Sequence, residues 1–196
     1  MHTFYVDLCN LQSLIYRDFM AKKIVFAGGP ATGKTTLIHR LESMGYSCLH
    51  EISRQITIDA RQAGIEQLFI SNPILFSEKL LKGRINQYAE ATLNKTPIVF
   101  IDRGLPEVVA YLDRIETPYP NHFIEACETY RYDYVFIFPP WEEIYTADNE
   151  RYEDFKEALR IYPYLKGAYE KFGYKNSILP KDTVENRISF ILDTIA

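Results

Sequence analysis

Short apolar runs alternate along the chain with longer stretches in which apolar residues recur every three or four positions. KIVFAG (23–28) is almost wholly apolar, as a strand buried on both faces of a parallel sheet must be. YSCLHE (46–51), PIVFID (97–102), YDYVFIFPP (132–140, stopped by two prolines) and NSILP (176–180) predict further strands. Between them the pattern predicts a helix over Lys34–Met44, closed by Gly45, and helical stretches over about 52–63 and 74–93. A helix over 105–115 has Pro106 near its first turn and Val108, Val109, Leu112 and Ile115 on one face. Another covers 152–173, with apolar Phe155, Leu159 and Tyr162; Pro163 should kink or split it, and Gly173 ends it. The last opens with Asp182 as its cap and Glu185 at capping-box spacing, and carries a stripe of Val184, Ile188, Ile191 and Ile195. Strictly alternating strands and helices predict an α/β fold with a doubly wound parallel sheet, whose ligands bind beyond the carboxyl ends of the strands.

Composition changes this picture little. With 196 residues, 47% of them hydrophobic, the chain has the material for one domain with a real core. The net charge of −4 provides no overall basic field for nucleic acid or anionic lipid. Most of the 15 tyrosines and 12 phenylalanines are expected in core packing. Cys9, Cys48 and Cys127 are odd in number and far apart, which suggests neither a zinc site nor a disulfide framework and fits a reducing cytoplasm. No apolar run reaches membrane-spanning length, and the first residues lack a secretory pattern. Met20 directly precedes AKKIVFAGG. The domain is therefore expected over 20–196, with 1–19 an extension that adds little to the chemistry.

The candidate chemistry starts at GGPATGKTT (28–36), which matches G-x-x-x-x-G-K-[ST] through Gly28, Gly33, Lys34 and Thr35. A match arises by chance in a chain this long at a rate of roughly 1%. An apolar strand before it and a helix after it supply the required context. The backbone from Gly28 through Gly29, Pro30, Ala31, Thr32 and Gly33 to Lys34, Thr35 and Thr36 can turn consecutive N–H groups onto a phosphate, aided by the helix start. Lys34 would span the β- and γ-phosphates and the Thr35 hydroxyl would ligate Mg²⁺. The competing reading is an ordinary glycine-rich turn.

Asp102 ends the third predicted strand, where an acid downstream of such a cradle faces the metal. Arg103 follows it. A lone arginine at a sheet edge pairs by default with a surface acid, but beside Asp102 it can offer a planar bidentate donor to a phosphate or a substrate oxygen. GGPATGKTTLI, HEISRQ, FIDRGLPEVVAYL, YDYVFIFPPWE, DNERYED and LPKDTVENRISFIL together resemble the AAA-type P-loop NTPase domain of the NadR-like (ribosylnicotinamide kinase) family, over about 22–195. The cradle, a Walker A sequence, is common to all P-loop proteins; the DRGLPxxxxY and FxxPPWE segments are far more specific.

That resemblance implies a three-layer P-loop fold with the kinase-like strand order 2-3-1-4-5, and a lid over about 141–163. It implies that Glu51, or else Asp102, takes the proton of an acceptor hydroxyl and that Arg54 holds the acceptor; the alternative for Glu51 is an acid favoured by a helix dipole. It implies that Arg151, in the Asp148–Arg151 pair, closes on the γ-phosphate; the alternative is an i, i+3 pair on a solvated helix. Trp141 either walls the pocket or packs. The loop 180–183 lies where related kinases hold the base. His50 is a neighbour of Glu51 rather than a catalyst, in no metal-ligand spacing.

Two functions follow from the resemblance. One is a small-molecule kinase that passes the γ-phosphoryl of ATP·Mg²⁺ to a hydroxyl acceptor, with Lys34, Asp102, Arg103, Glu51 and Arg151 as its catalytic set. The other is a stand-alone NTPase or nucleotide-gated binding protein. No N-K-x-D guanine signature is present, since NKTP (94–97) lacks the acid, so ATP is favoured over GTP. A motor-type ATPase needs a glutamate beside the strand-three acid to activate water; here that place holds Arg103. Family kinases carry this domain beside an adenylyltransferase domain, so ribosylnicotinamide is a suggestion for the acceptor and not an assignment.

Overall fold

In a computed structural model of the chain, residues 21–145 and 155–196 are described. The expected extension (1–19) and part of the expected lid, including Asp148 and Arg151, lie outside the described residues.

Five parallel strands form one sheet in the order β2-β3-β1-β4-β5: β1 Lys22–Ala27, β2 Ser47–Leu49, β3 Ile98–Asp102, β4 Tyr134–Ile137 and β5 Asn176–Ile178. The helices are α1 Lys34–Ser43, α2 Ser53–Gln62, α3 Leu68–Ser71, α4 Pro73–Leu93, α5 Leu105–Arg114, α6 His122–Thr129, α7 Phe155–Lys171 and α8 Val184–Ile195, with a 3-10 turn at Glu142–Ile144. Alternate residues of the central strands feed two cores. Ile24, Phe26, Phe100 and Phe136 pack with Leu37, Leu41, Ile188 and Ile191 of α1 and α8. Val25, Ala27, Val99 and Ile101 pack on the other face with Leu81, Leu105, Val108 and Phe123 of α4, α5 and α6. A sheet covered on both faces needs apolar residues at every position, which is why KIVFAG reads as a continuous run.

Local departures from expectation have local causes. β2 stops at Leu49 instead of reaching Glu51, because the Glu51 carboxylate turns back to accept from the N–H groups of Ile52 and Ser53 and so opens α2. The eight-residue α6 and four-residue α3 are too short to show a periodic stripe, and the sequence pattern does not predict them. α7 runs unbroken through Pro163. Leu159, whose carbonyl a helical N–H at 163 would have bonded, is exposed, so the lost bond falls on the solvent side. The buried face of α7 is accordingly Ala158, Ile161, Leu165, Ala168 and Tyr169, one position off the expected stripe. Ile115 lies just past α5 and is exposed. The cap of α8 is Thr183, whose hydroxyl accepts from the Asn186 N–H at 3.3 Å; Asp182 instead accepts from the Thr183 N–H and the Asn186 side chain.

Candidate functional site

The carboxyl ends of the strands open into a cavity of about 1050 Å³. Its floor is the turn between β1 and α1. Gly28 (φ 153°) passes so close to the residue after β4 that a Cβ would lie 2.8 Å from the Phe138 carbonyl oxygen. Gly33 (φ 85°) adopts a left-handed conformation directly before α1, whose N-terminus no side chain caps. The first N–H groups of α1 are thereby left for an anion.

Lys34 is buried. Its Nζ donates to the carbonyls of Gly28 (2.8 Å) and Gly29 (2.7 Å) and to the Thr32 hydroxyl (3.3 Å). Burial, and secondarily the Arg103 charge, lowers its pKa from 10.5 to about 8. The ammonium thus rests on its own loop, beside Thr35 on the cavity wall.

The register Phe26↔Asp102 sets the end of β3 beside this turn. Asp102 is buried, and its Oδ1 has no hydrogen-bond partner. Burial raises its pKa above the usual carboxylate range against the opposing charge of Lys34. A buried carboxylate oxygen with nothing to bond suits a cation or its water shell, and the donor set of one carboxylate and one hydroxyl suits Mg²⁺, which keeps waters and substrate phosphates as its other ligands. Among the described residues no three or more His, Cys, Asp or Glu side chains cluster as a metal cage.

Arg103 takes a left-handed backbone conformation (φ 74°), uncommon for a side chain of this size, while its N–H donates to the Phe26 carbonyl at 3.0 Å. Its guanidinium bridges two acids: Nε pairs with Glu51, and Nη1 lies 2.9 Å from Glu107. Glu107, fully buried, also accepts from the Gly104 N–H and the Tyr169 hydroxyl, each at 3.3 Å. Arg84, buried in the middle of α4, donates to the Gly104 carbonyl and lies 3.7 Å from Glu51. Burial alone would raise the Glu51 pKa, but the charges of Arg103 and Arg84 outweigh it and hold Glu51 below the usual range.

Arg54 lines the same cavity from α2. The far wall is aromatic: the Phe69 ring lies 5.6 Å from Phe76 and 6.3 Å from Tyr111, edge to face. Trp141 lines the opposite end with Asp182 and Thr183. His50 hydrogen-bonds the Glu42 carboxylate at 2.6 Å.

The structure therefore brings Lys34, Thr35, Glu51, Arg54, Asp102 and Arg103 to one cavity. It adds Arg84, Glu107 and Arg187, which reading the sequence did not single out. The signal was present: Arg84 follows Leu80 and Leu81 on the buried face of α4, and Arg187 interrupts the apolar stripe of α8. A charge on an apolar face must be paired or put to use.

A five-stranded parallel sheet of order β2-β3-β1-β4-β5, covered by helices on both faces, is the P-loop fold shared with nucleoside and nucleotide kinases. An AAA-domain family matches residues 23–187, and the chain belongs to it. Solved structures are similar at low identity. Deoxyadenosine kinase from M. mycoides, with the products dCMP and dCDP bound, superposes with a TM-score of 0.65 at 14% identity over 88% of this chain and 98% of that one. NadR in complex with NR gives 0.70 at 19% identity over 92% of this chain and 51% of that one, so the chain spans about half of NadR. Thymidylate kinase from Ehrlichia chaffeensis gives 0.61 at 14% identity over 90% and 100%. No curated protein matches the chain by sequence.

Proposed function

We propose that the protein is a small-molecule kinase that transfers the γ-phosphoryl group of ATP to a hydroxyl acceptor. The observation that carries this reading is the extent of the cavity. It does not end at the cradle but continues past Asp102 and Arg103 to the aromatic wall of Phe69, Phe76 and Tyr111. Hydrolysis needs room for a water; this space suits an organic acceptor carrying a flat ring.

In this reading Lys34 leaves the Gly28 and Gly29 carbonyls and takes the β- and γ-phosphates. The Thr35 hydroxyl and the Asp102 carboxylate would hold Mg²⁺, which when bound would neutralise charge on the phosphates. Arg103 supplies a rigid guanidinium on the acceptor side, its direction set by Glu51 and Glu107. Glu51, kept ionised at neutral pH by two arginines, accepts the hydrogen bond of the attacking hydroxyl. Arg54 contacts the acceptor, and Arg151 closes the site as a lid residue. The protein's contribution is positioning and charge stabilisation, since the transferring group needs little covalent help.

The test is incubation with ATP·Mg²⁺, and separately GTP·Mg²⁺, plus a pool of small hydroxylated metabolites, with mass spectrometry for phosphorylated products. A product carrying one added phosphate is expected. Phosphate release to water with no product would overturn the kinase reading in favour of a stand-alone NTPase.

A further inference from the structure

Arg187 stands in the first turn of α8, on the side of the cradle opposite Arg103. Only 3% of it is exposed. Its Nη2 donates to the Thr32 carbonyl of the cradle at 3.1 Å, and its Nη1 lies 2.7 Å from where a Cβ on Gly33 would be. Its guanidinium lies 4.9 Å from the Phe138 ring centre and 5.6 Å from that of Trp141. No carboxylate among the described residues pairs with it, and its buried Nε has no acceptor. Asp182, one turn earlier, is turned to Thr183 and Asn186. Burial alone pulls its pKa down to about 10. Two rings and one carbonyl are poor replacements for the hydration of a guanidinium, so this buried charge is short of partners. It also lines the cavity that holds Lys34 and Thr35.

The position of Arg187 relative to the sheet says which anion would meet it. This step rests on the kinase reading. The γ-phosphate must lie toward β3, where Asp102 and Arg103 face the acceptor space. The nucleotide chain then runs back across β1 toward β4 and β5, and the cation on that side meets its other end. We propose that Arg187 is the α-phosphate ligand of the bound nucleoside polyphosphate, a preorganised cation that serves the base end of the chain as Lys34 serves the other. Its unmade bonds are completed only when a 5′-nucleotide enters, and Trp141 beside it sits against the base end.

The proposal is tested by calorimetric binding of ADP and of pyrophosphate to wild type, Arg187→Met and Lys34→Ala, with thermal melting of each ligand-free protein. Arg187→Met should weaken ADP on the order of 10- to 100-fold, as loss of a buried charge-assisted contact does. It should leave pyrophosphate, which has no α-phosphate on a nucleoside, within a few-fold of wild type. Its ligand-free melting temperature should equal or exceed wild type, because an uncompensated buried charge has been removed. Equal losses for ADP and pyrophosphate, or a lowered melting temperature, would make Arg187 a mere prop for the cradle and overturn the proposal. Unchanged ADP binding in Arg187→Met, with binding lost in Lys34→Ala, would overturn it while leaving the nucleotide reading intact. Failure of wild type to bind ADP at all would remove the nucleotide reading and this inference together.

Discussion

The Arg103 guanidinium lies 2.9 Å from the carboxylate of Glu107, one turn further along the chain, in a pair almost wholly removed from water. Arg103 is held by this contact and by Glu51 while its own backbone sits in a left-handed conformation. A strained backbone and two acids devoted to one guanidinium mean that the direction of that side chain is over-determined by its surroundings.

Removing Glu107 should therefore cost stability as well as activity. Glu107→Ala leaves Arg103 short of one acid, and the Gly104 N–H and Tyr169 hydroxyl without their acceptor. A loss of about 3–5 kcal/mol is expected, as for a broken buried ion pair. Urea denaturation checks it; a loss below about 1 kcal/mol would show that the pair does not hold this region together.

Arg103→Lys keeps the charge but not the fork that reaches both acids at once. Turnover with the acceptor identified by mass spectrometry should fall on the order of 10²-fold, the effect of losing one donor to the transition state, with nucleotide affinity little changed. Steady-state kinetics and nucleotide titration separate the two.

Lys34 links pH to both stability and binding. Folding lowers its pKa from 10.5 to about 8. Below pH 8 both states hold the proton, and the folded state bears the cost of burying it. Between about 8 and 10.5 the unfolded chain binds more protons, so this group makes stability rise with pH across that window. Nucleotide affinity has the opposite slope: the phosphates favour charged Lys34, so affinity should be flat below pH 8 and fall above it. In Lys34→Met the rise in stability that this group contributes between about pH 8 and 10.5 should disappear. Denaturation and calorimetry from pH 7 to 10 test this.

Gly104→Ala is a steric test of the same corner. A Cβ there would lie 2.6 Å from the Tyr169 hydroxyl, 2.9 Å from the Tyr132 ring and 3.2 Å from Val25. Overpacking of this kind costs typically about 1–3 kcal/mol. Thermal melting should show the loss; an unchanged midpoint would mean that the corner has slack.

The sheet was legible in the chain because a strand covered on both faces must be apolar at consecutive positions, and β1 and β3 are. The turn between β1 and α1 was legible because Gly28 and Gly33 sit in backbone conformations that favour glycine, and Gly28 also passes too close to Phe138 to carry a Cβ. Asp102 and Arg103 were legible by adjacency to β3. Less was visible where the pattern is short or the partner distant: α3, α6, the one-position shift of the α7 face, and Thr183 as cap of α8.

The sequence by itself determined the order of strands and helices and the place of the phosphate-cradle turn, since both depend on residues near one another in the chain. Only the tertiary structure decided what surrounds that turn. Arg84, Glu107 and Arg187 come from three separate helices, and what each does depends on which charge or ring lies across a gap between elements. Coulomb interaction and desolvation depend on distance in space and on burial, and neither is written in spacing along the chain.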